Sequence, residues 1–135
     1  MRSRTSLDRS IRILFSDSPD IRQAIVTARE YGENYEALPV IDGVQLMHRL
    51  LYSRFDLTIV DLEMETLDAL RLIPLIRATP VLCQLQILAI ACAQKPTSGL
   101  EGIKAGATDY LPRPFEWPQI AMRIRQLTKT DQLAN

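Results

Sequence analysis

The stretch that most constrains this chain is Phe55-Asp56-Leu57-Thr58-Ile59-Val60-Asp61-Leu62-Glu63-Met64. A run of β-branched and apolar residues bounded by polar ones predicts a strand buried on both faces, and here the run ends on a carboxylate. In an open α/β sheet the carboxyl edge of the strands is where ligands and chemistry gather. Asp61 is therefore either a reactive carboxylate or a solvated acid that ends a strand.

The flanking sequence alternates between the two periodicities. Ile11–Phe15 predicts a first strand, followed by Ser16-Asp17-Ser18-Pro19, in which Ser18 reads as an N-cap and Pro19 as the first helical residue. That places a second acid, Asp17, at the same edge. The helix carries Ile21, Ile25 and Ala28 and stops at Gly32. Tyr35–Val40 is a second strand, marked as an edge by Pro39. Asp42-Gly43 opens a helix with a predicted buried stripe of Val44, Met47, Leu50 and Leu51, and the single histidine, His48, reads as a surface residue. After the opening stretch, a helix from Leu67 to Arg77 directs Leu70, Ile73 and Ile76 inward, with Pro74 predicting a kink or an early break. Leu85–Ala91 is a fourth strand, 94–99 a loop, and a short helix carries Leu100 and Ile103. Thr108–Pro112 is a fifth strand, and Pro112 makes it an edge. The last helix, Glu116–Leu127, has Trp117, Ile120 and Ile124 on one side and Arg123 and Arg125 on the other.

Five strands alternating with helices imply a parallel sheet with helices on both faces, joined by right-handed crossovers: a doubly wound α/β domain over residues 11–127. Residues 1–10 read as a disordered polar leader and 128–135 as a fraying polar tail. With 16 basic and 16 acidic residues in balance, no overall field favours nucleic acid or an anionic membrane. The most apolar run, Leu85 to Ala93, is far too short to cross a bilayer. Cys83 and Cys92 match no zinc or redox spacing, which suits reduced thiols and a cytoplasmic location.

Three segments together resemble the response-regulator receiver domain of bacterial two-component signalling. They are Phe15-Ser16-Asp17-Ser18-Pro19, the Asp56 to Met64 run with Leu67-Asp68 behind it, and Ala105-Gly106-Ala107-Thr108-Asp109-Tyr110-Leu111-Pro112-Arg113-Pro114-Phe115. The resemblance covers residues 11–127. It implies a flavodoxin-like five-stranded sheet of order 2-1-3-4-5, in which Asp61 accepts a phosphoryl group from a histidine kinase or phosphotransfer protein. It further implies Mg²⁺ held by Asp17, Asp61 and the backbone carbonyl of Glu63. Tyr110 matches the family's switch aromatic, and the Arg113-Pro114 bond is expected to be cis. Family dimers use the face made by the fourth helix, fifth strand and fifth helix, so a homodimer there is expected, with Trp117 as a contact.

The departures weaken that chemistry. Ser16 stands where most receivers have a second acid, so metal affinity should fall. Ala91 replaces the Thr or Ser that donates to the phosphoryl group, with Cys92 filling space beside it. Arg113 replaces Lys, exchanging a compact ammonium for a planar fork able to pair permanently with Asp61 or Asp17. Two readings follow: a phosphorylatable receiver, or a pseudo-receiver acting as a dimerisation or adaptor module by protein contact alone. An enzyme or flavin binder is disfavoured, because acids stand where a phosphate-bearing cofactor needs glycine and backbone amides.

Overall fold

The computed structural model describes residues 9–95 and 97–128; of the leader expected over 1–10 and the tail expected over 128–135, residues 1–8 and 129–135 lie outside them, and Thr128 is helical. Five strands, β1 (Ile11–Ser16), β2 (Tyr35–Val40), β3 (Leu57–Asp61), β4 (Gln86–Ala91) and β5 (Asp109–Pro112), form one sheet of order β2-β1-β3-β4-β5. Every pairing is parallel. The two strands carrying proline are the edges, since proline lacks the N–H that a central strand must donate. Between them run α1 (Pro19–Glu30), α2 (Gly43–Tyr52), α3 (Ala69–Ala78), a 3-10 turn (Pro80–Leu82) and α4 (Ser98–Ala105), and α5 (Trp117–Thr128) follows β5.

Side-chain alternation along the strands divides the core into two layers. Ile13, Phe15, Leu57, Ile59, Leu88, Ile90 and Leu111 point toward α1 and α5, where Ile21, Ile25, Ile120 and Ile124 cover them. Leu14, Val60, Ile87 and Ala89 point the other way, under Leu46, Leu50, Ile73 and Ile76. All five residues of β3 are buried, as a central strand covered on both faces requires. At the far end of the sheet, Arg77 gathers the loops: its guanidinium donates to the carbonyls of Gly106, Cys83 and Leu85 and to the Thr108 hydroxyl.

Two packing expectations are corrected, and of the kink or early break expected at Pro74 the early break is absent. In α2 the buried residues are Leu46 and Leu50, while Val44 and Leu51 are exposed and Met47 is partly buried. The helix carries two apolar stripes, and periodicity alone does not say which one meets the sheet. In α3 the inward residues are Ala69, Leu72, Ile73 and Ile76, and Leu70 is exposed. Asp68, in the left-handed region at φ 52°, sets the phase of this helix. Pro74 does not end α3, which continues to Ala78. It lies on the solvent side, where water can satisfy the carbonyl it leaves unbonded. A smaller correction concerns α4, which starts at Ser98, inside the stretch expected to be loop.

Candidate functional site

Because Leu57, Ile59 and Asp61 share one face of β3, the carboxylate of Asp61 emerges at the carboxyl edge on the α1 side. It is almost wholly buried there and accepts four hydrogen bonds. The backbone N–H of Glu63 donates to Oδ1 at 2.8 Å, and the Ser18 hydroxyl donates to Oδ2. Arg113 supplies the other two as a parallel fork, Nη1 to Oδ1 and Nη2 to Oδ2, each at 2.8 Å. The Arg113–Pro114 peptide is cis.

The guanidinium is fully committed. Its Nε donates to Asp20 Oδ2 at 2.8 Å and Nη2 to Asp20 Oδ1 at 3.1 Å, a second fork. Nη1 also reaches Glu63 Oε2 at 3.3 Å. These five bonds match the five N–H donors that a guanidinium owns. The side chains of Arg113 and Asp61 are only 13% and 5% exposed, so the pair sits where water screens it weakly. Burial pushes the Asp61 carboxyl up, but the hydrogen bonds from Arg113, Ser18 and the Glu63 N–H outweigh it and hold the group below the ordinary carboxylate value. Burial works against the charged Arg113 as well, and its bonds to Asp61 and Asp20 more than offset that, raising its pKa.

Asp17 is separate from this network. Its Oδ1 accepts from Arg22 Nε at 2.7 Å. Ser16 is wholly buried: its hydroxyl donates to the Ile59 carbonyl at 3.2 Å and accepts the Asp61 N–H at 3.0 Å, joining β1 to β3. The Ser16 hydroxyl is thus spent on backbone. Ala91 is buried at the end of β4. The next residue, Cys92, donates its backbone N–H to Ser98 Oγ at 2.8 Å, tying the strand end to α4. Tyr110 is half-buried, its ring against Gly99, where a Cβ would collide with the ring carbons.

The residues expected to bind Mg²⁺ do not fit that ion in this arrangement. Octahedral Mg²⁺ needs carboxylate oxygens free to face it. Both oxygens of Asp61 are taken by Arg113, and Asp17 is engaged by Arg22. Among the described residues, no group of three or more His, Cys, Asp or Glu side chains is placed to hold a metal. A cation does occupy the centre of the acids, but it is the side chain of Arg113.

Two members of the network escaped the sequence reading. Ser18 has the backbone of an N-cap but makes no side-chain cap bond, because its hydroxyl is turned to Asp61. Asp20 lies in the first turn of α1, where an acid is ordinarily explained by the helix dipole. Nothing local marks it as the partner of a residue 93 positions away.

Comparison with known proteins agrees with this fold. Residues 13–125 match the response regulator receiver domain family. The response regulator MprA of Mycobacterium leprae is 34% identical over 128 residues, covering 92% of this chain and 55% of that protein; the chain spans about half the length of the curated relatives it matches. In fold, it is similar to the receiver domain of the sensor histidine kinase PA1611 of Pseudomonas aeruginosa, whose structure has magnesium in its active-site cleft. The TM-score is 0.75 at 24% identity, covering 90% of this chain and 100% of that one. The chemotaxis response regulator CheY4 of Vibrio cholerae gives a TM-score of 0.75 at 23% identity, covering 88% and 99%. A five-stranded parallel sheet in 2-1-3-4-5 order, an acid ending β3 and a match over most of the chain lead to one conclusion: the chain belongs to the receiver-domain family of two-component response regulators.

Proposed function

We infer that this receiver domain signals by protein contact, as a pseudo-receiver or adaptor module, with Asp61 serving as the buried anchor of an ion-pair network. One observation carries the reading: both oxygens of Asp61 are bound by the Arg113 fork, and every N–H of that fork is used. A carboxylate that attacks phosphorus needs a free oxygen and a cation facing the incoming group. In this pocket the cation is turned onto the nucleophile. The chain is a signalling module and not an enzyme, and it works in the cytoplasm with a histidine kinase, a phosphotransfer protein or another regulator as partner. No helix among the described residues is long and apolar enough to cross a membrane, which is compatible with that location. Its contact face is that of α4, β5 and α5, where Leu100, Ile103 and Met122 are exposed. Trp117, at the start of α5, is partly buried and stacks on Tyr31 at the C-terminal end of α1, on the α1 side of the helix.

The second reading, phosphoryl transfer to Asp61 with Mg²⁺ held by Asp17, Asp61 and the Glu63 carbonyl, is favoured by the position of Asp61 at the carboxyl edge of the central strand. It requires Arg113 to leave Asp61. Incubation of the protein with acetyl phosphate or beryllofluoride and Mg²⁺ separates the two. Contact signalling predicts no phosphoryl mass shift and partner binding that survives Asp61→Asn. Stoichiometric labelling lost in Asp61→Asn would overturn it.

A further inference from the structure

How Arg113 closes Asp61 depends on which edge of its guanidinium each acid takes. A guanidinium can meet a carboxylate through its two Nη groups or through Nε and one Nη, and a lone acid is free to take either edge. Here Asp20 occupies the Nε/Nη2 edge, at 2.8 Å and 3.1 Å, and Asp61 the Nη1/Nη2 edge, with both bonds at 2.8 Å. Both Nη groups therefore lie across the Asp61 carboxylate, and Nη1 also reaches Glu63 Oε2 at 3.3 Å. Asp20 is the more firmly mounted partner in its fork. Ser18 and Pro19 open α1, proline fixes its own backbone angle there, and the Arg22 N–H donates to the Ser18 carbonyl at 2.9 Å to close the first turn. Asp20 stands inside that turn on a short side chain, whereas Arg113 comes to it on a long, flexible one that needs holding.

We propose that Asp20 is a positioning residue for the pocket: by occupying the Nε edge it fixes the plane of the Arg113 guanidinium and leaves Asp61 the two Nη groups, which engage both of its oxygens. Two ionised acids repel each other and neither can donate, so Asp20 holds Asp61 closed only through the cation between them. Its side chain is 45% exposed, where a charge by itself acts weakly, and its leverage comes from the geometry of the fork. With an acceptor of the wrong kind at position 20 the Nε edge is released. The guanidinium can then turn to offer Nε and one Nη to Asp61, and the other Nη goes free. The inference deepens the contact-signalling reading and rests on it for its meaning: where Asp61 is a buried anchor, Asp20 is the residue that keeps it one.

Two measurements on the full chain at neutral pH test the role. Asp20→Asn and Asp61→Asn preserve side-chain shape, so both variants should fold, as circular dichroism will verify. In a urea double-mutant cycle, positioning predicts that the double variant loses less stability than the two single losses added together, a coupling of at least ~2-fold in the unfolding constant. Either change alone already undoes the arrangement on the other acid. Plain repulsion between the acids predicts the opposite sign, because each single change relieves it and the double change relieves it only once. By side-chain NMR, the parent should show separate, slowly exchanging signals for the two Nη groups of Arg113, and these should merge in Asp20→Asn. A coupling that is absent or of opposite sign overturns the proposal. So do Nη signals that stay separate in Asp20→Asn while only the Nε–H exchanges faster, because Asp61 then holds the fork unaided. Labelling of Asp61 by acetyl phosphate in the parent bears on the contact-signalling reading alone, so the two fail separately.

Discussion

Arg113→Lys restores the residue type usual in the family, and the structure predicts that it destabilises this member. The guanidinium makes two bonds to Asp61, two to Asp20 and one to Glu63. An ammonium has three donors and no fork, so at least two charge-assisted bonds are lost, each about 1.5–3 kcal/mol where water is excluded. The Asp20 end is 45% exposed and the Glu63 end 37% exposed, so bonds lost there count for well under that figure. The net expectation is a loss of about 2 kcal/mol. With a urea slope of roughly 1–3 kcal/mol/M for a domain of this size, the midpoint should fall by about 1 M at unchanged slope. The same substitution breaks the fork on Asp61, leaving its oxygens only the Glu63 N–H and the Ser18 hydroxyl, so beryllofluoride with Mg²⁺ should bind the variant more tightly than the parent. A midpoint within the error of the parent, with unchanged beryllofluoride binding, would refute the view that the double fork is what closes the pocket.

Other perturbations probe the same fold. Ser18→Ala should cost about 1 kcal/mol by removing a donor to the buried Asp61. Because that hydroxyl caps nothing, helix content measured by circular dichroism should not change. The folded pKa of Asp61 is depressed, so its contribution is present above the unfolded value near 4 and is lost as pH falls through the folded one. Urea midpoints measured from pH 5 downward should therefore fall in the parent and fall less steeply in Asp61→Asn. Gly99→Ala should destabilise by about 1–3 kcal/mol through collision with the Tyr110 ring, and a double-mutant cycle with Tyr110→Ala should recover part of that loss.

The strands were the most readable part of the sequence because their signals are local. Continuous apolar character marks β3 and β4, and a proline marks each edge, β2 and β5. Strand order is not contained in periodicity and came from the resemblance. Helix faces were less legible: α2 has apolar residues on two sides, and which side is buried depends on the crossover that lays it on the sheet. The acids of the pocket were legible as an edge cluster, but their partners were not. Arg113 was expected to pair with Asp61 or Asp17; it chooses Asp61, and the other end of the fork goes to Asp20. That choice depends on where the first turn of α1 stands beside the residue after β5, a distance in space that no sequence interval encodes.

The Ser16 hydroxyl bears on whether the pocket could be converted to one that holds a metal. It donates to the Ile59 carbonyl and accepts from the Asp61 N–H. A carboxylate at position 16 could accept from that N–H but not donate to that carbonyl, and it would enter a wholly buried site. Placing an acid at 16 alone would therefore cost stability before it supplied any metal affinity, and placing lysine at 113 would loosen the ion-pair network as well. Each single replacement weakens the fold, so the pocket resists stepwise conversion: an open, metal-binding pocket needs several replacements made together.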